Sequence, residues 1–194
     1  MAGVEVRERP SVGGERKHDE LPVTTVDTGF DGLTGVGSWS RSGWAVFAWG
    51  PRRPFAAIAV GLTGFRGIND RLCHLVGDEA LRQVARRIGS VVPPVPDSYI
   101  GRTGGDTFLV LAALPVADAA RLLAEQIVAA IEAPLQIGEA TIHVEARAAL
   151  LMATKSPPAP GTVDIIEVTR NALKAMPRDG TRVVLVATPA DPLG

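Results

Sequence analysis

Three short stretches hold the side chains that could do chemistry. The first is Gly61-Leu-Thr-Gly-Phe-Arg-Gly-Ile-Asn-Asp70. Its three glycines mark a loop whose backbone can approach a ligand closely, and Arg66 adds a cation. Gly77-Asp78 lies eight residues beyond Asn69. About twenty-five residues later comes Gly104-Gly105-Asp106-Thr107-Phe108. An amide that donates and accepts, a carboxylate that accepts, and a second carboxylate at a tight turn suit a polar ligand or a hard cation. Each residue also has a simpler use. Asn69 and Asp78 fall near helix starts, where Asn and Asp are favoured caps. Asp106 is good turn chemistry, and Arg66 suits a solvated surface.

The elements that must position these residues follow from pattern and punctuation. Asp31-Gly-Leu-Thr-Gly35 reads as a turn-rich loop. Trp39, Trp44, Phe47 and Ala48 suggest a short helix ended by Gly50-Pro51. The tryptophans Trp39, Trp44 and Trp49 recur every five residues, which does not place them on one helical stripe. An exposed Trp among them would suggest a partner surface. Phe55 to Val60 is a continuous apolar run of strand length. After the glycine loop, Leu81, Val84, Ala85 and Ile88 recur at helical spacing, with Arg82, Arg86 and Arg87 read as a solvent face. Ser98–Arg102 and Phe108–Ala112 read as a hairpin with the glycine turn at its tip. A helix from Pro115 to about Ala133 follows. Leu135–Ile137 and Ala140–Met152 read as a second hairpin around Gly138. Ser156–Gly161 is a loop, Val163–Met176 a helix, and Arg182–Val186 a last strand. Two hairpins among alternating helices predict an α+β fold: a mainly antiparallel sheet with helices packed on its faces.

Composition narrows the class. The chain has 194 residues, 46% of them hydrophobic, enough for one domain with a real core. Lys plus Arg is 20 and Asp plus Glu is 21, so there is no basic excess for nucleic acid or an anionic membrane. Gly (21) and Pro (15) are plentiful, so loops should be numerous. One cysteine, Cys73, excludes an intramolecular disulfide and argues against a Cys-based zinc site; it reads as a small buried apolar residue. His74 reads as a partly buried structural histidine. Residues 1–27 mix charges, Gly and Pro without period and read as a disordered charged tail, and 188–194 as a flexible C-terminal one. Neither a signal-like apolar stretch nor a run of spanning length is visible, so the expected setting is cytoplasmic.

Four motifs in order at matching spacings resemble the GGDEF domain, the diguanylate cyclase family. The family's Asp-x-Leu-Thr-Gly appears as Asp31-Gly32-Leu33-Thr34-Gly35. Its Phe-Lys-x-Ile-Asn-Asp appears as Phe65-Arg66-Gly67-Ile68-Asn69-Asp70, and its Gly-His-x-x-Gly-Asp as Cys73-His74-Leu75-Val76-Gly77-Asp78. The signature appears as Gly104-Gly105-Asp106-Thr107-Phe108, with Leu114-Pro115 beyond it. The resemblance covers roughly residues 28–187 and implies a palm-like fold related to nucleotidyl cyclases. In that family two domains each hold one GTP and join them into cyclic di-GMP. The resemblance implies nucleotide contacts from Phe65, Arg66, Asn69, Asp78 and Gly105, with Asn69 and Asp78 reading guanine. It further implies a phosphate cradle in the strand-end loop, permitted by Gly61 and Gly64, and Asp106 as a ligand of Mg2+ carried with the nucleotide.

The acidic positions depart from the family. The Asp ending the first strand stands as Gly61, the next Asp of that turn as Thr63, and the signature Glu as Thr107. The helix motif Ala-Leu-Tyr-x-Ala-Lys appears as Ala172-Leu173-Lys174-Ala175-Met176-Pro177, which puts Pro177 at the phosphate-binding Lys with Arg178 beside it. The inhibitory Arg-x-x-Asp has no Arg three residues before Asp97. These departures imply a catalytically degenerate domain with no catalytic residue set. Its role would be a regulatory module binding GTP or GDP or contacting a protein, with a homodimer or an unidentified protein partner. The alternatives are a slow but genuine diguanylate cyclase, using Asp106 with a carboxylate from Asp31 or a partner chain, and a ligand-free dimerisation scaffold.

Overall fold

A computed structural model describes residues 28–49, 54–153, 165–177 and 179–186. The two predicted tails, Gly50-Pro51, Ser156–Gly161 and Arg178 lie outside the described residues. The elements in chain order are α1 (Trp39–Trp49), β1 (Phe55–Thr63), α2 (Phe65–Leu72), α3 (His74–Val91), β2 (Ser98–Gly104), β3 (Thr107–Ala112), α4 (Ala117–Glu132), β4 (Leu135–Ile137), β5 (Ala140–Ile142), β6 (Glu145–Ala153), α5 (Ile165–Ala175) and β7 (Val183–Val186).

The main sheet has the order β2-β3-β1-β6-β7. All pairs are antiparallel except β6–β7, which is parallel. The apolar run of β1 is buried on both faces, which explains why it shows no alternation. One face, carrying Ile58, Val60, Phe108, Val110, Ala148 and Leu150, packs on the apolar stripes of α3 and α4. The other carries Phe55, Ala57, Leu109 and Leu111 beneath α1 and the start of α5. Further along that face Ala59 and Ala149 receive Leu173 and Met176, and the small residues let α5 approach the sheet closely. The expected α+β, palm-like architecture is the one observed.

Several local expectations change. The glycine-marked stretch is only partly a loop: β1 runs through Thr63, Gly64 turns the chain at φ 71°, and α2 begins at Phe65. Gly61 is therefore a paired strand residue. The second hairpin is also different. β4 and β5 close a separate two-stranded ribbon around Gly138, and the chain then enters the main sheet as β6. Cys73 is exposed, not buried, because it is the joint between α2 and α3 at φ 85°, with its N–H held by the Asn69 carbonyl at 3.0 Å. His74 next to it is exposed as well. The arginines of α3 are not one solvent face. Arg87 crosses to the C-terminal end of α4 and donates to the carbonyls of Ala130, Ile131, Ala133 and Pro134. Those of Ala130 and Ile131 are carbonyls a helix end leaves without internal partners, and burial pushes the Arg87 pKa down.

Candidate functional site

The site is the end of the sheet where β1 stops, the β2–β3 hairpin turns and α2 begins. The registers decide what converges there. Gly61 is opposite Thr107 on β3 and opposite Arg147 on β6. Directly opposed residues of an antiparallel pair share a face, so Gly61, Thr107 and Arg147 lie side by side. Two residues on, Thr63 is opposite Glu145 on the same face. The three family acidic positions, Gly61, Thr63 and Thr107, thus come together with no carboxylate of their own. Glu145 is engaged by Arg182 at 3.6 Å, and Arg182 also holds Glu132 at 3.4 Å. A Cβ at Gly61 would meet only Leu173 Cδ1, at 3.5 Å, an ordinary van der Waals contact.

Asp106 is at the hairpin tip. Its carbonyl accepts from the Leu62 N–H at 3.1 Å, which ties the tip to the end of β1, and its carboxylate accepts from the Thr107 hydroxyl at 3.4 Å. Gly105 is exposed, and its carbonyl accepts from Arg102 Nε (3.1 Å) and Nη2 (2.6 Å). Arg102 also forks onto both oxygens of Asp31, at 3.1 and 3.2 Å. Asp31 in turn accepts from the Thr34 N–H (2.8 Å) and hydroxyl (2.6 Å). Burial raises the Asp31 pKa, but the Thr34 hydrogen bonds and Arg102 outweigh it and hold the carboxyl below its ordinary value. Asp31 is therefore a structural clasp on the signature hairpin, committed to Arg102 and Thr34. Sequence reasoning did not single out Arg102; its only signal there was its place two residues before the glycine pair.

The second half of the site lies at the α2–α3 joint. The capping reading of Asn69 and Asp78 is not what the chain does: Gly64 precedes α2 and Cys73 precedes α3 as their N-caps. Asn69 lies in the last turn of α2 and Asp78 at the start of the second turn of α3. Gly77 brings them together. A Cβ at Gly77 would overlap Asn69 Oδ1, so the Asn69 amide lies against the α3 backbone one residue from Asp78. Both side chains are half-buried, and among the described residues neither makes a side-chain hydrogen bond or ion pair. Phe65 is 5% exposed and sits in the core beneath Gly77. What it offers a ligand is its backbone N–H at the start of α2, beside that of Arg66. The Arg66 side chain is 94% exposed and only loosely paired with Asp70 at 3.9 Å.

Residues 48–181 match the model of the family described as "Diguanylate cyclase, GGDEF domain". The chain belongs to this family. A segment of 75 residues is 43% identical to the uncharacterized protein Rv1354c of Mycobacterium tuberculosis, covering 38% of this chain and 12% of that protein. A segment of 95 residues is 40% identical to the bifunctional diguanylate cyclase/cyclic di-GMP phosphodiesterase MucR of Pseudomonas aeruginosa, covering 48% of this chain and 13% of MucR. The matched part is thus about an eighth of each relative's length. Among solved structures, the GGDEF domain of TpbB (YfiN) from Pseudomonas aeruginosa superposes with a TM-score of 0.69 at 23% identity, covering 80% of this chain and 93% of that one. This GGDEF domain therefore belongs to the protein family of cyclic di-GMP signalling. Among its described residues no helix is long and apolar enough to cross a membrane.

The family's Mg2+ can be tested against the donors present. Two divalent ions held at a triphosphate need several hard anionic oxygens. Here Asp106 is the carboxylate at the signature, its neighbours Thr63 and Thr107 offer neutral hydroxyls, and Arg147 adds a positive charge beside Gly61. Among the described residues no three His, Cys, Asp or Glu side chains converge. This donor set does not fit a two-metal site.

Proposed function

We propose that this GGDEF domain is a regulatory binding module that holds a guanine nucleotide, GTP or GDP, without converting it to cyclic di-GMP. The observation that carries the reading is the register of β1 with β3 and β6. It gathers Gly61, Thr63 and Thr107 at one sheet end, where the family's chemistry depends on carboxylates. Losing one transition-state-stabilising group typically costs roughly 10²- to 10³-fold in rate, and three are gone. The guanine side supports retained binding. Asn69 and Asp78 are adjacent, half-buried and without side-chain partners among the described residues. A carboxylate facing the N1–H and N2–H2 edge of guanine, beside an amide, is a complete donor–acceptor match. The domain boundaries we assign are 28–187, since the Asp31 clasp binds the signature hairpin from outside the matched 48–181 segment.

Calorimetric titration with GTP, GDP and ATP tests the binding half. The expected result is saturable binding of both guanine nucleotides and none of ATP. No heat with GTP or GDP would leave only the scaffold reading.

A further inference from the structure

The end of β6 contributes a residue that neither the motifs nor the family match assigns. Arg147 stands directly across from Gly61, on the face that holds Thr107. It is half-buried, and its hydrogen bonds to the carbonyls of Met176 and Pro177 are long, at 3.4 and 3.5 Å. Among the described residues it has no carboxylate partner. Glu145, two residues before it, is occupied by Arg182 at 3.6 Å. A Cβ at Gly61 would meet only Leu173 Cδ1 within 4 Å, so no atom of Arg147 fills the position beside Gly61. Three residues beyond Gly61, Gly64 turns the chain so that the first N–H groups of α2 emerge at the same sheet end.

The charge at this spot is thus opposite to that of a metal site. A carboxylate at position 61 would need a cation between itself and a phosphate. Gly61 with Arg147 beside it needs none, because a guanidinium donates two parallel N–H bonds to phosphate oxygens directly. We propose that Arg147 takes over the charge-neutralising role of the divalent cation, making this a metal-independent site for the phosphate tail of a nucleotide. The inference rests on the nucleotide-binding reading above and adds to it the ligand group and the residue that holds it. Arg147 receives the phosphate that lies nearest β1, the N-terminal N–H groups of α2 flank it, and Asn69 with Asp78 take the base.

The test is titration with GDP in Mg2+ and again in EDTA, on the intact protein and on Arg147→Ser, Arg147→Lys and Gly61→Asp. The GDP Kd of the intact protein should change less than about threefold when EDTA replaces Mg2+. Arg147→Ser should weaken GDP at least tenfold in both buffers, with Arg147→Lys in between. Gly61→Asp should weaken GDP in EDTA by at least tenfold, since the new carboxylate pairs with Arg147. GDP binding that disappears in EDTA, or that is unchanged in Arg147→Ser, overturns the inference and leaves guanine recognition standing. Absence of GDP binding in both buffers by the intact protein overturns the nucleotide reading and this one together. Should Arg147→Ser not fold, the Mg2+/EDTA comparison on the intact protein and the sign of the Gly61→Asp effect decide the matter alone.

Discussion

The two halves of the site have kept different things. At the α2–α3 joint, Asn69, Gly77 and Asp78 retain the family's residues, and the packing that sets them side by side is intact. At the β1 end, where β3 and β6 flank it, the scaffold is equally intact but its acids have become Gly61, Thr63 and Thr107. The hairpin at this end is clasped by Arg102 and Asp31. On the proposed reading, base recognition and phosphoryl chemistry are separable here. One would depend on two helices meeting at a glycine, the other on what three strand positions carry.

The largest effect should come from rebuilding the poorer half. Gly61→Asp, Thr63→Asp and Thr107→Glu combined with Arg147→Ser restore the acidic positions and remove the opposing charge. Cyclic di-GMP formation from GTP and Mg2+ should rise at least about 10²-fold over the parent chain. No gain would place the deficit elsewhere, with the Pro177 position the next to change. In the other half, Asp78→Ala should weaken GTP by about 1–3 kcal/mol in a calorimetric titration, the cost of leaving polar partners unpaired. Equal affinity in parent and variant would show that Asp78 does not read the base. Gly77→Ala is a finer probe. Its methyl group displaces the end of a flexible side chain, Asn69, so stability should fall by only about 1 kcal/mol while GTP affinity drops about tenfold.

The smallest effect tests the scaffold both halves share. The Asp31 pKa lies lower in the folded chain than its ordinary value of 3.8, so the clasp stabilises fully above that value and its contribution is lost as pH falls through the lower, folded value. Thermal melts of the parent should therefore lose stability in that acid window more steeply than melts of Asp31→Asn. Parallel curves would remove the clasp from the account.

Much of the fold was legible because its signals are local. Phe55–Val60 is too uniformly apolar for a surface element, and a glycine pair between two short strands makes a hairpin. Leu123, Ile127 and Ile131, four residues apart, make a helix. The candidate site was legible as motifs, but its composition was not. Nothing in the sequence says that Gly61 faces Arg147, because that neighbour is set by a strand register across 86 residues of chain. Nor could the clasp of Asp31 by Arg102 be read, since it spans 71 residues. The joint at Cys73 misled for a different reason: a residue type usually buried is held outside by the geometry of two helices meeting. The glycine stretch departs from a loop because, of Gly61, Gly64 and Gly67, only Gly64 has the positive φ that turns the chain.

One measurement reaches the central claim most directly. Purified protein is incubated with GTP and Mg2+ at concentrations that saturate binding, and the products are separated by chromatography. The account predicts GTP recovered intact, with cyclic di-GMP no higher than in the protein-free control. Accumulation of cyclic di-GMP over many turnovers per protein would contradict it.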